Sequence, residues 1–350
     1  TGARSTRPPL AASPAKASPC AARPTPASEA RGALRAAAAA ERGPQDPRGG
    51  RHSRRLTRRA RPARLPPMTA DPRAPESVTA RPLAAQPRAL GAARVAAKAD
   101  GARTRLADLY ERGSAKIRLP NAYGPALEAV ALNTAGGITA GDRFLYEAEA
   151  GPGARLVLAT QTAERAYRAQ PQETPGRLEA RLSLSAGAAL DWLPQETILF
   201  DRCALGRALS VEMAEDARLL AVESVVFGRA AMGETVERGW FRDSQRIRRG
   251  GRLIYADAAR FEGPVRAHCA RPAALGGARA YATILYAAPD AEDRLPEARD
   301  ILRGEDAGAS AFDGLISARI VSSDGHTLRR RLSDFLRAFR GGALPRVWDI

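Results

Sequence analysis

Carboxylates stand at or near the ends of apolar runs from residue 142 onward: Asp142, Glu164, Asp191, Glu196, Glu223, Glu234 and Asp257. For most of them the plain reading is a solvated strand end. Glu223 differs, because it interrupts "LLAVESVVFG". A carboxylate inside such a run needs a partner, a metal or water to offset its desolvation. Carboxylates lining a polar path suit a hard or borderline cation in transit better than a tight soft-ligand site.

Other chemistry is poorly supported by residue type. The stretch "LNTAGGITAGD" (Leu132 to Asp142) has glycines enough for a phosphate loop. It lacks the lysine such a loop uses, and Asp142 would repel a phosphate. GxGxxG is absent too, so Gly136, Gly137 and Gly141 read as a tight turn. Beyond residue 67 the histidines are His268 and His326. There is no GxSxG motif for a nucleophilic serine. In "AHCA" His268 adjoins Cys269, and on a strand such neighbours point to opposite faces and do not share a metal. His326, after "SSDG", reads as solvated.

Strands must position these acids. "RFLYEAEA" (143–150), "RLEARLSLS" (177–185) and "RALSVEMA" (207–214) alternate apolar and polar residues, the period of a half-buried strand. Each leads through a short turn into a more apolar run, starting at Gly153, Gly187 and Asp216, and then to a polar or aromatic exit: "TAERAY", "ETILF" and "VVFGRA". One unit thus recurs three times, its starts spaced by 34 and 29 residues. Unequal spacing predicts an irregular stack of strands rather than a regular solenoid. A hairpin is expected around Gly250 and Gly251 within 242–263. Helical patterns come late, at 288–304 and 326–342, with a strand at 315–323 between them. The fold class is α+β, predominantly β.

The chain has 350 residues and a formal net charge of +17. That charge suggests a nucleic-acid partner until its distribution is read. Residues 1–67 hold 15 Arg and Lys against 3 Asp and Glu; the rest holds 40 against 35. The front segment is Ala, Pro and Arg with few large apolar side chains, so it is expected to be disordered. It reads as translated upstream sequence before Met68, a basic interaction tail or a transit peptide. Residues 68–100 read as a flexible lead-in and 101–350 as one β-rich domain. No apolar run is long enough for a membrane span. Cys20, Cys203 and Cys269 form no CxxC, which fits a reducing cytoplasm.

Taken together, the motifs resemble the urease accessory protein UreD family, called UreH in some bacteria. "LNTAGGITAGD" is similar to that family's asparagine-then-glycine segment ending GGD, with Ala140 in place of the first of the last two glycines. "ATQTAERAYR" (159–168), "DWLPQETILFD" (191–201), "FGRAAMGE" (227–234) and "LPRVW" (344–348) follow in the family's order. The likeness spans roughly 100–348. It implies an irregular β-helix-like stack of strands with two late helices, and a protein that is not an enzyme. It implies a urease maturation factor working on the urease apoprotein with a helical accessory protein of the UreF type and a nickel GTPase of the UreG type. It further implies that no cofactor is tightly bound and that Ni2+ is a transient cargo carried through an internal polar channel. By resemblance Asp142, Glu223 and Asp257 match acidic positions of the channel region, and Glu164 lies where the family has a small polar or charged residue. Glu196, in "PQETILF", joins them from the reading of this sequence alone. Asp142 is then expected to face a polar interior. Neither a nucleic-acid nor a membrane partner is expected. The alternatives are a nucleic-acid-binding protein acting through the basic front segment and an extracellular stacked-β protein.

Overall fold

The alternating segments carry the chain back and forth between two facing sheets. A computed structural model describes residues 87–121, 124–171, 173–304 and 306–349. The expectations for residues 1–67, and for the first part of 68–100, lie outside the described residues.

The described chain opens with β1 (Leu90–Asp100) and β2 (Arg103–Gly113), an antiparallel pair, then β3 (Ala115–Arg118) and β4 (Leu127–Asn133). Three rungs follow. The first is β5 (Arg143–Ala150), β6 (Arg155–Thr160) and β7 (Glu164–Ala166). The second is β8 (Gly176–Leu184), β9 (Ala189–Leu193) and β10 (Thr197–Leu199). The third is β11 (Ala204–Met213) with the long β12 (Arg218–Phe227). The hairpin β13 (Gly239–Arg249) and β14 (Arg252–Gly263) closes the series. After it come α1 (Val265–Cys269), β15 (Ala280–Ala287), α2 (Leu295–Ile301), β16 (Ala307–Phe312), β17 (Leu315–Ser322) and α3 (Gly325–Arg340).

The spacing of the sequence repeat is the register of the ladders. Arg143 lies opposite Arg177, and Arg177 opposite Gly206. In the other sheet Arg155 lies opposite Ala189, and Ala189 opposite Arg218. Each rung gives its alternating strand to one sheet, ordered β14-β13-β11-β8-β5-β1-β2, and its apolar strand to the other, ordered β16-β17-β15-β12-β9-β6-β4-β3. The exits add a short parallel series in which β10 pairs with β7 and with the end of β12. This is the expected stack of strands with helices late in the chain.

Side chains explain the layers. Alternating strands bury one face: Phe144, Tyr146, Ala148 and Ala150 of β5 point inward, while Arg143 and Glu149 stay outside. The apolar strands are buried on both faces, as strands covered on two sides must be. β12 is buried from Leu219 to Phe227. One core fills the space between the sheets; a second lies between the apolar sheet and α2 and α3.

Three local expectations are corrected. Leu90–Asp100, placed in a flexible lead-in, is β1, hydrogen-bonded in parallel to β5. The helix expected over 288–304 is confined to Leu295–Ile301, with Pro296 in its first turn. Proline lacks the donor that continuation from upstream would need. "AHCA" lies on α1 rather than on a strand, with Cys269 buried and His268 half-buried.

Candidate functional site

The corner that leads from β4 into the first rung is built by its glycines and its two polar ends. Gly136, Gly137 and Gly141 all have positive φ. At Gly137 a Cβ would lie 2.2 Å from the Tyr167 ring, so a side chain there would have to displace that ring as well as adopt a φ that favours glycine. Asn133 holds the start of the loop: its Nδ2 donates to Gly137 O and to Glu164 Oε2, each at 3.1 Å. Asp142 holds the end. Its Oδ1 accepts from Ala89 N at 2.7 Å and its Oδ2 from Thr139 N at 2.9 Å. Asp142 is buried, but its oxygens are engaged by backbone N–H groups, one of the corner and one of the residue before β1, and it does not line the cavity described next.

Between the sheets, behind this corner, lies a cavity of about 70 Å3. Its walls include Asn133, Tyr146, Glu164, Trp192, Gln195 and Glu223. Glu164 begins β7, the exit strand of the first rung, and Glu223 lies in the middle of β12. Burial pushes the Glu164 carboxyl above the usual carboxylate range, although Arg165 N and Asn133 Nδ2 donate to it; nearby Asp142 adds to the rise. Burial likewise raises the Tyr146 phenol, whose hydroxyl donates to Leu132 O at 3.0 Å.

Glu223 opens onto a buried ionic group. Its Oε1 accepts from Trp192 Nε1 at 2.8 Å, and its Oε2 lies 2.7 Å from Arg207 Nη1. The same guanidinium grips Asp243 with both forks, Nε to Oδ1 at 3.1 Å and Nη2 to Oδ2 at 2.7 Å. Nη1 also donates to Thr197 Oγ1 at 3.0 Å. Burial opposes the charge on Arg207, but the attraction of Asp243 and Glu223 outweighs it and holds the guanidinium protonated. Burial pushes Glu223 up against the pull of Arg207, with Asp243 adding to the rise. One cation thus faces two carboxylates. Beyond Asp243 the polar series continues through Gln245 to Asp257, which lies directly across from it on β14 and pairs with Arg319 of β17. Gln245 Oε1 and the Tyr281 hydroxyl are buried in this stretch without a hydrogen-bond partner among the described residues. Such atoms are rare in folded proteins and mark places where a polar guest is favoured.

The remaining acids sit in ion pairs away from the cavity. Glu196 pairs with Arg329 at 3.1 Å, Asp191 with Arg340 at 2.8 Å and Glu234 with Arg229 at 2.7 Å. The structure thus brings Glu164 and Glu223 together on one cavity, sets Asp257 at the far end of the same polar series, and leaves Asp142 and Glu196 outside it. His326 is exposed in the first turn of α3. Among the described residues no three His, Cys, Asp or Glu side chains converge as a metal-binding group.

Arg207 and Asp243 escaped the reading of the sequence. A signal was present. In "ALGRALSVEM" the inward positions are Leu205, Arg207, Leu209, Val211 and Met213; in "GWFRDSQRIRR" they are Phe241, Asp243, Gln245, Ile247 and Arg249. A charge on the apolar phase of an alternating strand is a buried charge that must find a partner.

Residues 89–349 match the family model described as UreD urease accessory protein. A protein of Xanthobacter autotrophicus named urease accessory protein UreD is 49% identical over 280 residues, covering 79% of this chain and 96% of the relative. Proteins with the same name from Rhizobium leguminosarum bv. viciae and a Methylobacterium species are 48% and 50% identical, each over 75% of this chain and over 96% and 93% of their own lengths. With its model matched from the first described strand to the last turn, the chain belongs to the UreD urease accessory protein family.

Proposed function

We propose that this chain is a cytoplasmic, non-catalytic urease maturation factor. It binds the urease apoprotein together with a helical accessory protein and a nickel-carrying GTPase, and Ni2+ moves through its interior on the way to the urease site. Family membership supports the role in maturation. The cavity between the sheets, with Glu164 and Glu223 on its walls, is the observation that carries the internal route. Among the described residues no helix is long and apolar enough to cross a membrane.

The chemistry of that route follows from its donors. Carboxylate and amide oxygens attract a borderline dication, and sites with few ligands release it again. Burial holds the Glu164 and Glu223 carboxyls in favour of their protons. Protons therefore compete with an entering cation at higher pH than they would at a solvated acid, and occupancy falls as pH falls. Arg207 stands between the cavity and the Asp243–Asp257 stretch, so a dication passing in either direction must move past a fixed positive charge or wait for it to swing away.

The test keeps the assembly intact and changes the path. The full chain, wild type or Glu164→Gln/Glu223→Gln, is co-expressed with the urease subunits and both accessory proteins. Copurification, nickel bound per urease and urease activity are measured. Copurification should be retained, while nickel and activity fall together by about tenfold, the scale on which metal-handling sites respond to loss of a supporting group. Undiminished nickel loading in the double variant would falsify the internal route while leaving the maturation role standing. Urease that matures fully without this chain would remove both.

A further inference from the structure

At the corner where each rung leaves the stack, an arginine recurs. Arg168 follows β7, Arg202 follows β10, and Arg238 precedes β13. Backbone hydrogen bonds hold the three in a row: Ala169 N donates to Arg202 O at 2.9 Å, and Arg202 N donates to Arg238 O at 2.7 Å. They edge a groove of about 700 Å3 with Pro171, Pro175 and Trp240 among its walls. Pro175 and Trp240 also border a second groove of about 360 Å3, where Arg177 and Arg242 stand.

The charge here is unbalanced. The acids of the two groove walls are Glu173 and Glu179, and they are already paired with Arg88 and Arg181. Arg168, Arg177 and Arg238 have no carboxylate partner among the described residues. Arg202 adds an independent sign. It has φ of 61°, a left-handed conformation that glycine or asparagine adopts at lower cost. Strained non-glycine positions of this kind cluster at ligand clamps. Its neighbour Asp201 both pairs with it, Oδ2 lying 3.6 Å from Arg202 Nε, and steadies the corner, with Oδ1 accepting from Glu237 N at 2.9 Å and Arg238 N at 3.1 Å; the unbalanced charge is therefore that of Arg168 and Arg238.

We propose that the Arg168–Arg202–Arg238 groove docks an extended acidic segment of a protein partner. Three rungs at strand spacing set the arginines over roughly 10 Å, the reach of about three residues of extended chain. The chain's own front segment has the wrong sign, with 15 Arg and Lys against 3 Asp and Glu in residues 1–67. Nucleic acid fits less well than a peptide. It would need an open stacking platform, and Arg242 already lies over the Trp240 ring at 4.8 Å. A carboxylate-rich segment needs only the unpaired guanidinium forks of Arg168 and Arg238, with Arg202 between them, and an apolar floor for its backbone. The assignment does not depend on the nickel route and fails or survives separately from it.

The experiment uses the full chain and a fluorescent peptide of about eight glutamates that carries a benzophenone for photo-crosslinking, sized to overfill the groove. Affinity is measured across a salt series and crosslinks are mapped by mass spectrometry. Crosslinks are expected within 168–175 and 238–242, with affinity falling as salt rises. Arg168→Glu/Arg238→Glu should weaken binding by roughly tenfold and admit a lysine peptide of equal length at the same groove. Crosslinks confined to residues 1–67, or an unchanged affinity in the variant, overturn the proposal. So does displacement of the peptide from the groove by a lower concentration of an equally charged oligothymidylate, which assigns the groove to nucleic acid. Should the charge-reversed chain lose its circular-dichroism spectrum, Arg168→Gln/Arg238→Gln supplies the same comparison of affinity and crosslinks.

Discussion

Arg207 is 5% exposed at its side chain and touches two carboxylates that are as deeply buried, Glu223 and Asp243. Their interaction is costly to assemble and more costly to break. Removing the cation leaves two acids in the core with no compensating charge. Arg207→Met should therefore destabilise the chain by about 3–5 kcal/mol, read from urea unfolding. A loss below about 1 kcal/mol would mean that water already screens the group. Glu164 titrates in the opposite sense from a salt-bridged acid. Its folded pKa is raised by burial, so the folded state keeps a proton that the unfolded state gives up. Stability is lost as pH rises from the ordinary carboxylate value through the folded one. Glu164→Gln removes the titration, so its stability should fall less than wild type's over that window. Parallel pH profiles for the two proteins would show that Glu164 is solvated in the folded chain.

At the scale of single elements, α3 shows how local chemistry sets a boundary. Asp324 caps it, Oδ1 accepting from Thr327 N at 2.9 Å, and Gly341 ends it with φ of 67°. Leu328, Leu332, Phe335, Leu336 and Phe339 form the buried stripe. The cap hydrogen bond holds the Asp324 carboxyl below the usual range. That stabilisation is present above the unfolded pKa and is lost as pH falls through the folded one. Asp324→Ala should cost about 1 kcal/mol at neutral pH. Thermal unfolding checks it, and a variant as stable as wild type would show the cap to be replaced by water. The rungs were equally legible, because alternation and turn glycines are local signals. β1 was not: its inward residues are Ala93, Val95 and Ala97, too small to stand out from the Ala-rich sequence before it. Its place is set by pairing with β5, more than fifty residues downstream by register, Leu90 opposite Arg143.

The described residues from β1 onward form three layers: the alternating sheet, the apolar sheet, and the late helices. The apolar sheet belongs to both cores and couples them. Phe335 lies in the outer core, stacked on Phe339 with ring centroids 5.2 Å apart. Phe335→Ala should cost about 3–5 kcal/mol. If the layers unfold as one, the denaturation midpoint drops with an unchanged slope. A shallower slope, or a separate early transition in far-ultraviolet circular dichroism, would show the helices leaving the sheets on their own.

Hydrophobic periodicity and turn chemistry are properties of neighbours in the chain, and so the sequence alone determined the repeating rungs, the hairpin at Gly250–Gly251, the late helices and the α+β class. It also singled out Glu223 as a carboxylate in an apolar run, and its motifs carried the family. What lies across the gap between two sheets is not a property of neighbours. Glu164 and Glu223 meet on one cavity through separate strands, and Glu223 answers to an arginine on a third. Asp142, also a carboxylate and as deeply buried as Glu223, instead ties its corner to the start of β1 through two backbone donors. Tertiary structure alone decided between those roles, because a buried carboxylate takes its character from whichever donors the folded chain brings within hydrogen-bonding distance.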